Sequence, residues 1–285
     1  MLNKRLIDAL EVPGLKIPTA AVKLFPVATE VPDDIYNNNP GGMTITACHA
    51  MRSAMLGDAA YVDAGSIGCI AAAISLGLVD AKNPEPLDGP RVYTELMRQS
   101  SGKGTSFVAP APAEFSNGTV YACKDSGREE YSLFGENDAG RYGKKEIANK
   151  AVAGMMAIQP PATRGVYFYG ADDNEFDLKP DIIVMAVRPV ELCRLIQGHQ
   201  FLTGERTTAN VGGLRAGCSD LIARPYITKT INFSPFCLGA RLIAKFEADR
   251  MGLGMPFDLF EAIVEGVEAS RTGFPFPKYP GAQIS

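Results

Sequence analysis

The sequence predicts an α/β protein: a mixed sheet with flanking helices, built from two weakly similar pseudo-repeated halves around an inserted middle region. Three observations predict it. Residues Asp181 to Val187 read DIIVMAV, an unbroken apolar run of the kind a central strand shows when both its faces are covered. RPVELCRLIQGHQF follows at once, with Pro189 where a first helical turn accepts proline. A strand leading straight into a helix suggests an α/β crossover unit. The third observation is a cysteine-led pattern that occurs twice, once in each outer third of the chain.

The elements follow in order. Leu2 to Leu10 has helical amphipathicity, and Thr19 to Phe25 (TAAVKLF) reads as a strand stopped by Pro26. VPDDIYNNNPGGMT reads as a loop from its Pro, Asn and Gly content. CHAMRSAML from Cys48 has the spacing of a helix, Tyr61 to Ala64 is a short link or strand, and Gly68 to Leu78 is a nearly all-apolar helix. From Asp80 to Ala162 the texture changes. RVYTELMRQ and RYGKKEIANKAVAGMMAI suggest helices, and TSFVAPAPA and GTVYACK suggest strands, the last ending near Cys123. GVYFYGA is again a strand. After the DIIVMAV strand and its helix come a second pair of cysteine-led helices, at Cys218 and in CLGARLIAKFEADR, and then the amphipathic helix PFDLFEAIVEGVEA. The Pro-rich tail FPFPKYPGAQIS reads as extended surface chain. This organisation is a single α/β domain over 1–285, with halves at about 1–80 and 164–285 and the insertion at about 81–163.

Composition narrows the function classes. Hydrophobic residues are 46% and charged residues 21%, so the chain is globular rather than disordered. A net charge of −4 and the lack of a Lys/Arg run argue against nucleic acid as a partner. No apolar stretch reaches the roughly 20 residues that span a bilayer, and MLNKRLIDALEV lacks the apolar core of a signal peptide. The expectation is a cytoplasmic protein without membrane association. Its apolar content, high for such long loops, also suggests a homodimer. In that compartment the six cysteines are filler, ligands or reactive thiols rather than a disulfide framework. With two histidines, His49 and His199, a histidine-rich zinc site is disfavoured.

The repeated pattern concentrates the chemistry. One copy is CHAMRSAMLGDAAYVDAGSIGCIAAAISLGL and the other is CSDLIARPYITKTINFSPFCLGARLIAKF. Each opens a helix with a cysteine, crosses a link containing Tyr61 or Tyr226, passes a serine, and opens another apolar helix with a second cysteine. Cys48, Cys69, Cys218 and Cys237 would all lie at helix starts, where the dipole favours thiolate. Four thiolates suit an iron–sulfur cluster, [4Fe–4S] foremost, or a structural zinc. Against this, no two cysteines make the short spacing that lowers the entropy of assembling a site, and buried cysteine is often plain packing.

The two cysteine segments and PDIIVMAVRPVELCRLI resemble a family known as domain of unknown function 169, over Cys48 to Leu78, Pro180 to Ile196 and Ala216 to Ala248. Cys-Leu-Gly-Ala-Arg at 237–241 is the most telling piece. The similarity covers roughly 40% of the chain. It departs from the family pattern at Ala71, where a glycine is usual. The resemblance implies no activity. It directs attention to Cys69, Cys218 and Cys237.

Other residues have plainer readings beside the functional one. SSGKGTS lacks the earlier glycine of a phosphate loop, and Lys103 is followed by Gly104, so it reads as a surface loop. Cys193 sits among apolar residues at helical spacing and reads as core. Cys123 reads as strand filler and His199 as a C-terminal cap; His49, beside Cys48, could join a site as ligand or proton donor, but its plainer reading is a helix-cap or interface histidine. Arg241, four residues after Cys237, could offset the charge of a cluster, bind a substrate carboxylate or phosphate, or pair with Glu247 or Asp249. Tyr61 and Tyr226 could line a pocket or fill the core. The leading expectation is a cysteine-ligated iron–sulfur protein of redox metabolism, with a redox partner or a small molecule at an open iron. The alternatives are a metal-free small-molecule binding module and a structural zinc protein.

Overall fold

A computed structural model describes residues 2–12, 14–38, 45–78, 156–158, 162–173, 177–213, 216–237, 240–241 and 244–272. The middle-region expectations, including Cys123 and the SSGKGTS loop, lie outside these residues, as does the tail, except that 156–158, the end of the expected helix RYGKKEIANKAVAGMMAI, are described and are not helical. The elements are α1 (Leu2–Leu10), β1 (Thr19–Pro26), α2 (Asp33–Tyr36), α3 (Ala47–Leu56), β2 (Ala60–Asp63), α4 (Ile70–Ser75), β3 (Thr163–Gly170) and β4 (Ile182–Val187). Then come α5 (Pro189–Thr203), a π-helix π1 (Ala216–Ala223), α6 (Arg224–Thr228), β5 (Asn232–Ser234), β6 (Met251–Pro256) and α7 (Phe257–Ala269). The stretch expected as one loop contains the short α2, whose first turn is acidic as a helix start favours.

Six strands form one sheet in the order β2-β3-β1-β4-β6-β5. β4 is buried along its whole length, as its apolar run required. The ladders of β1 with β4, β4 with β6 and β5 with β6 are all antiparallel. This corrects the expectation of a mixed sheet. A run of apolar residues reports burial on both faces, not strand direction. The crossover from β4 does occur, but it lands one strand further out. β5 runs the same way as β4, and β6 returns between them.

Strand order also pairs the two ends of the sheet. Outward from the central β1–β4 pair, one side reads β1, β3, β2 and the other β4, β6, β5. On each side the chain goes from the central strand through helices to the edge strand, passes a cysteine, and returns to the middle strand. The described residues fall into two compact units. One lies within Met1–Lys23, Met51–Ala60 and Phe168–Ser285, the other within Leu24–Ala50 and Tyr61–Tyr167. The units interleave along the chain.

In the first unit, α5 begins as its sequence dictates. Pro189 takes the first helical position, and the Arg188 N–H donates to Glu191 Oε2 at 2.6 Å. The helix ends at Gly204 with φ 69°, so glycine caps it rather than His199. Its inner face carries Glu191 and Arg194, both buried, and Cys193 is exposed, which corrects the reading of Cys193 as core. The charges turn inward because they have fixed partners. Arg194 donates to Ser270 Oγ at 2.9 Å and to the Val267 carbonyl at 2.8 Å. Glu191 accepts from Arg250 Nη1 at 3.0 Å, and the same Nη1 reaches the Ala186 carbonyl at 2.8 Å. π1 lies directly on β6. A Cβ on Gly254 would run into the Leu221 main chain, so glycine at that position sets how close π1 can come.

Candidate functional site: cysteines at helix starts

Cys48 and Cys69 belong to the same unit. Thr46 caps α3: its Oγ1 accepts the His49 N–H at 3.1 Å and its carbonyl accepts the Ala50 N–H at 3.0 Å. Cys48 is therefore the second residue of the helix. Cys69 is the N-cap of α4, extended at φ −131°, with its carbonyl accepting the Ala73 N–H at 2.9 Å. Asp63 Oδ1 accepts the N–H groups of Gly65 and Ser66, at 3.0 and 2.9 Å, and the Ser66 hydroxyl at 2.8 Å. That turn delivers the chain to Ile67, which bridges Ile45 in parallel. Both cysteines are half-exposed. His49 Nδ1 lies 3.3 Å from Thr46 Oγ1, so the cap of this helix is Thr46 and His49 lies within its first turn.

Cys218 and Cys237 belong to the other unit. Cys218 is buried in π1, together with Ser219 and Asp220. An eight-residue π-helix is rare, and such segments concentrate at functional sites. The Asp220 carboxyl is pushed up to about 6, first by burial and further by Cys237. The Gly212 N–H, donated to Oδ2 at 3.1 Å, and Arg224 oppose that rise. Asn232 on β5 bonds the Asp220 carbonyl at 2.9 Å and both main-chain groups of Asn210. β5 then turns into Cys237 through Phe236, which adopts φ 63°, a left-handed conformation unusual for a bulky residue. The Ser234 hydroxyl accepts the Phe236 N–H at 3.2 Å, and the Phe236 ring stacks on Phe246 at 4.1 Å. Helical geometry after Cys237 begins with the Arg241 N–H donating to the Cys237 carbonyl at 3.0 Å. The long helix expected here has ended by Lys245, at φ 58°.

Arg241 clamps main chain. Its Nε and Nη2 donate to the Pro235 carbonyl at 3.2 and 2.7 Å, Nη2 also donates to the Arg250 carbonyl at 2.7 Å, and Nη1 donates to the Glu247 carbonyl. The expected acidic partners are engaged elsewhere, Glu247 with Arg52 at 2.6 Å and Asp249 with Arg188 at 3.1 Å. Tyr61 is 1% exposed, packed between Phe25 and Tyr36, with its hydroxyl over Gly165. Burial pushes its hydroxyl up to about 12. Tyr226 sits on α6 with Lys229 Nζ 4.4 Å above its ring, and burial raises its hydroxyl. The two tyrosines do not hold matched places, since Tyr61 is on an edge strand and Tyr226 on a helix.

Among the described residues, no three of His, Cys, Asp and Glu form a group that could hold a metal ion. Sequence reasoning missed Asp220, Asn232 and Thr46. The signals present were a carboxylate within the apolar run CSDLIA, an asparagine opening a strand, and a threonine two residues before Cys48. No helix of the described residues is long and apolar enough to cross a membrane.

Fold and cysteine geometry together define an α/β protein with thiols at helix starts. The family model described as "Uncharacterised ArCR", domain of unknown function 169, matches residues 11–266, and the chain belongs to that family. An uncharacterised protein of Methanocaldococcus jannaschii is 29% identical over 132 residues, 46% of this chain and 55% of that protein. The chain thus spans about half the length of this relative. No solved structure matches.

Proposed function

We propose that this protein is a cysteine-ligated iron–sulfur protein of redox metabolism, with some or all of Cys48, Cys69, Cys218 and Cys237 as its thiolates. One observation carries the reading: each of the four cysteines lies at the cap or in the first turn of a helical segment. Exposed main-chain N–H groups and the dipole stabilise thiolate there, and the same N–H groups can donate to cluster sulfides. The matched strand order on the two sides of the sheet supports an internal repeat in which Cys69 and Cys237 are equivalent. A [4Fe–4S] cluster on three of the cysteines would leave one iron open to a small molecule. A redox partner, a homodimer and a cytoplasmic location belong to this proposal.

Purification under argon tests it. An iron–sulfur protein shows a broad absorbance near about 400 nm with iron and acid-labile sulfide in comparable amounts. A colourless protein lacking both overturns the reading. One observation favours a second reading, a metal-free small-molecule binding protein: Cys218 is buried among core residues, as a packing cysteine would be. Zinc found by elemental analysis and lost in Cys218→Ser would select a structural zinc protein instead.

A further inference from the structure

The segments leading into α3 and α4 are bonded side by side. The Ile45 N–H donates to the Ser66 carbonyl at 3.1 Å, and the Gly68 N–H donates to the Ile45 carbonyl at 2.7 Å. These two bonds flank the parallel bridge between Ile45 and Ile67. Parallel neighbours lie about 4.8 Å apart and leave the bridge in the same direction. Two residues separate Ile45 from Cys48, and one separates Ile67 from Cys69. Chain this short carries each cysteine no more than about 7–11 Å beyond the bridge, towards the same end. Both thiols are half-exposed, and Cys218 is buried. A disulfide spans roughly 4.4–6.8 Å between Cα atoms, the range to which the two cysteines must close beyond the bridge.

We infer that Cys48 and Cys69 form a reversible dithiol–disulfide pair that exchanges with low-molecular-weight disulfides. The Cys48 thiolate, at the start of the ten-residue α3, attacks one sulfur of the small disulfide and expels the first small thiol. The Cys69 thiolate then attacks Cys48 Sγ and expels the second. One S–S bond breaks and one forms, two electrons pass from the cysteines to the small disulfide, and the two thiol protons finish on the released thiols. The pair shares two thiols with the iron–sulfur reading but does not depend on iron, so the two can fail separately.

The test uses the full chain, freed of metal by chelation under argon and equilibrated with reduced and oxidised glutathione. Thiols are then trapped with N-ethylmaleimide and peptides are read by mass. The expected product is a peptide pair linked through Cys48 and Cys69, with a midpoint set by the glutathione ratio. Cys48→Ser and Cys69→Ser should each leave a glutathione adduct on the remaining cysteine. Separate glutathione adducts on Cys48 and Cys69 in the unsubstituted protein, with no linked peptide, overturn the inference. Should either variant fail to fold, phenylarsine oxide on the unsubstituted protein decides. Protection of both thiols from maleimide by one equivalent supports the pair, and lack of protection refutes it.

Discussion

Asn232 holds Asp220 in place: its side-chain amide donates to the Asp220 carbonyl at 2.9 Å. The same side chain also donates to the Asn210 carbonyl at 3.1 Å and accepts the Asn210 N–H at 2.9 Å. An edge strand of three residues is thereby tied to both the π-helix and the loop before it. Asn232→Leu would keep the volume and strand three main-chain groups. The expected loss is about 3 kcal/mol in urea unfolding, since each group left unsatisfied costs about 1–3 kcal/mol and partial relaxation recovers some of it. A loss under about 1 kcal/mol would contradict this role.

The Asp220 carboxyl gives a pH signature in metal-free protein. Its folded value of about 6 stands above the ordinary 3.8, so the folded state binds the proton more tightly. Stability from this group is fully present below about pH 4 and is lost as pH rises through about 6. The expected decline is about 2–3 kcal/mol. Asp220→Asn should flatten the difference between stability at pH 4.5 and pH 7.5. An unchanged difference would show that Asp220 titrates normally.

Glu191 and Arg250 form a buried ion pair, with their side chains 0% and 9% exposed. Arg250→Ala leaves the Glu191 carboxylate and the Ala186 carbonyl without this donor. The expected cost is about 3–5 kcal/mol. Arg250→Met with Glu191→Leu should recover much of it, because apolar pairs of similar volume replace buried ion pairs well. Thermal unfolding of the single and double variants reads the difference.

Thiol reactivity should follow burial. Exposed Cys193 should react with an aromatic disulfide reagent first, Cys48, Cys69 and Cys237 more slowly, and buried Cys218 only on unfolding. Rapid modification of Cys218 in the folded protein would contradict the packing of π1 against β6.

The sequence made β4, α5 and α7 readable because each rests on a local rule: an apolar run, a proline at a first turn, a 3.6-residue stripe. Strand direction was not readable, because whether β6 returns between β4 and β5 depends on long-range pairing. Cys193 was misread because its apolar neighbours at helical spacing were taken to mark the buried face, whereas Glu191 and Arg194 are the residues beside it that turn inward. Their partners, Arg250, Val267 and Ser270, lie far along the chain and turn that face inward. The helix-start cysteines were legible from the pattern. The π-helix was not, since nothing in AGCSDLIA separates it from an α-helix by periodicity.

Iron and acid-labile sulfide, measured on protein purified and kept under argon, decide whether these cysteines hold a cluster. Both should be present, with absorbance at about 400 nm, and both should be lost when Cys218 and Cys237 are replaced together by serine. Folded protein with neither iron nor sulfide would contradict the iron–sulfur reading.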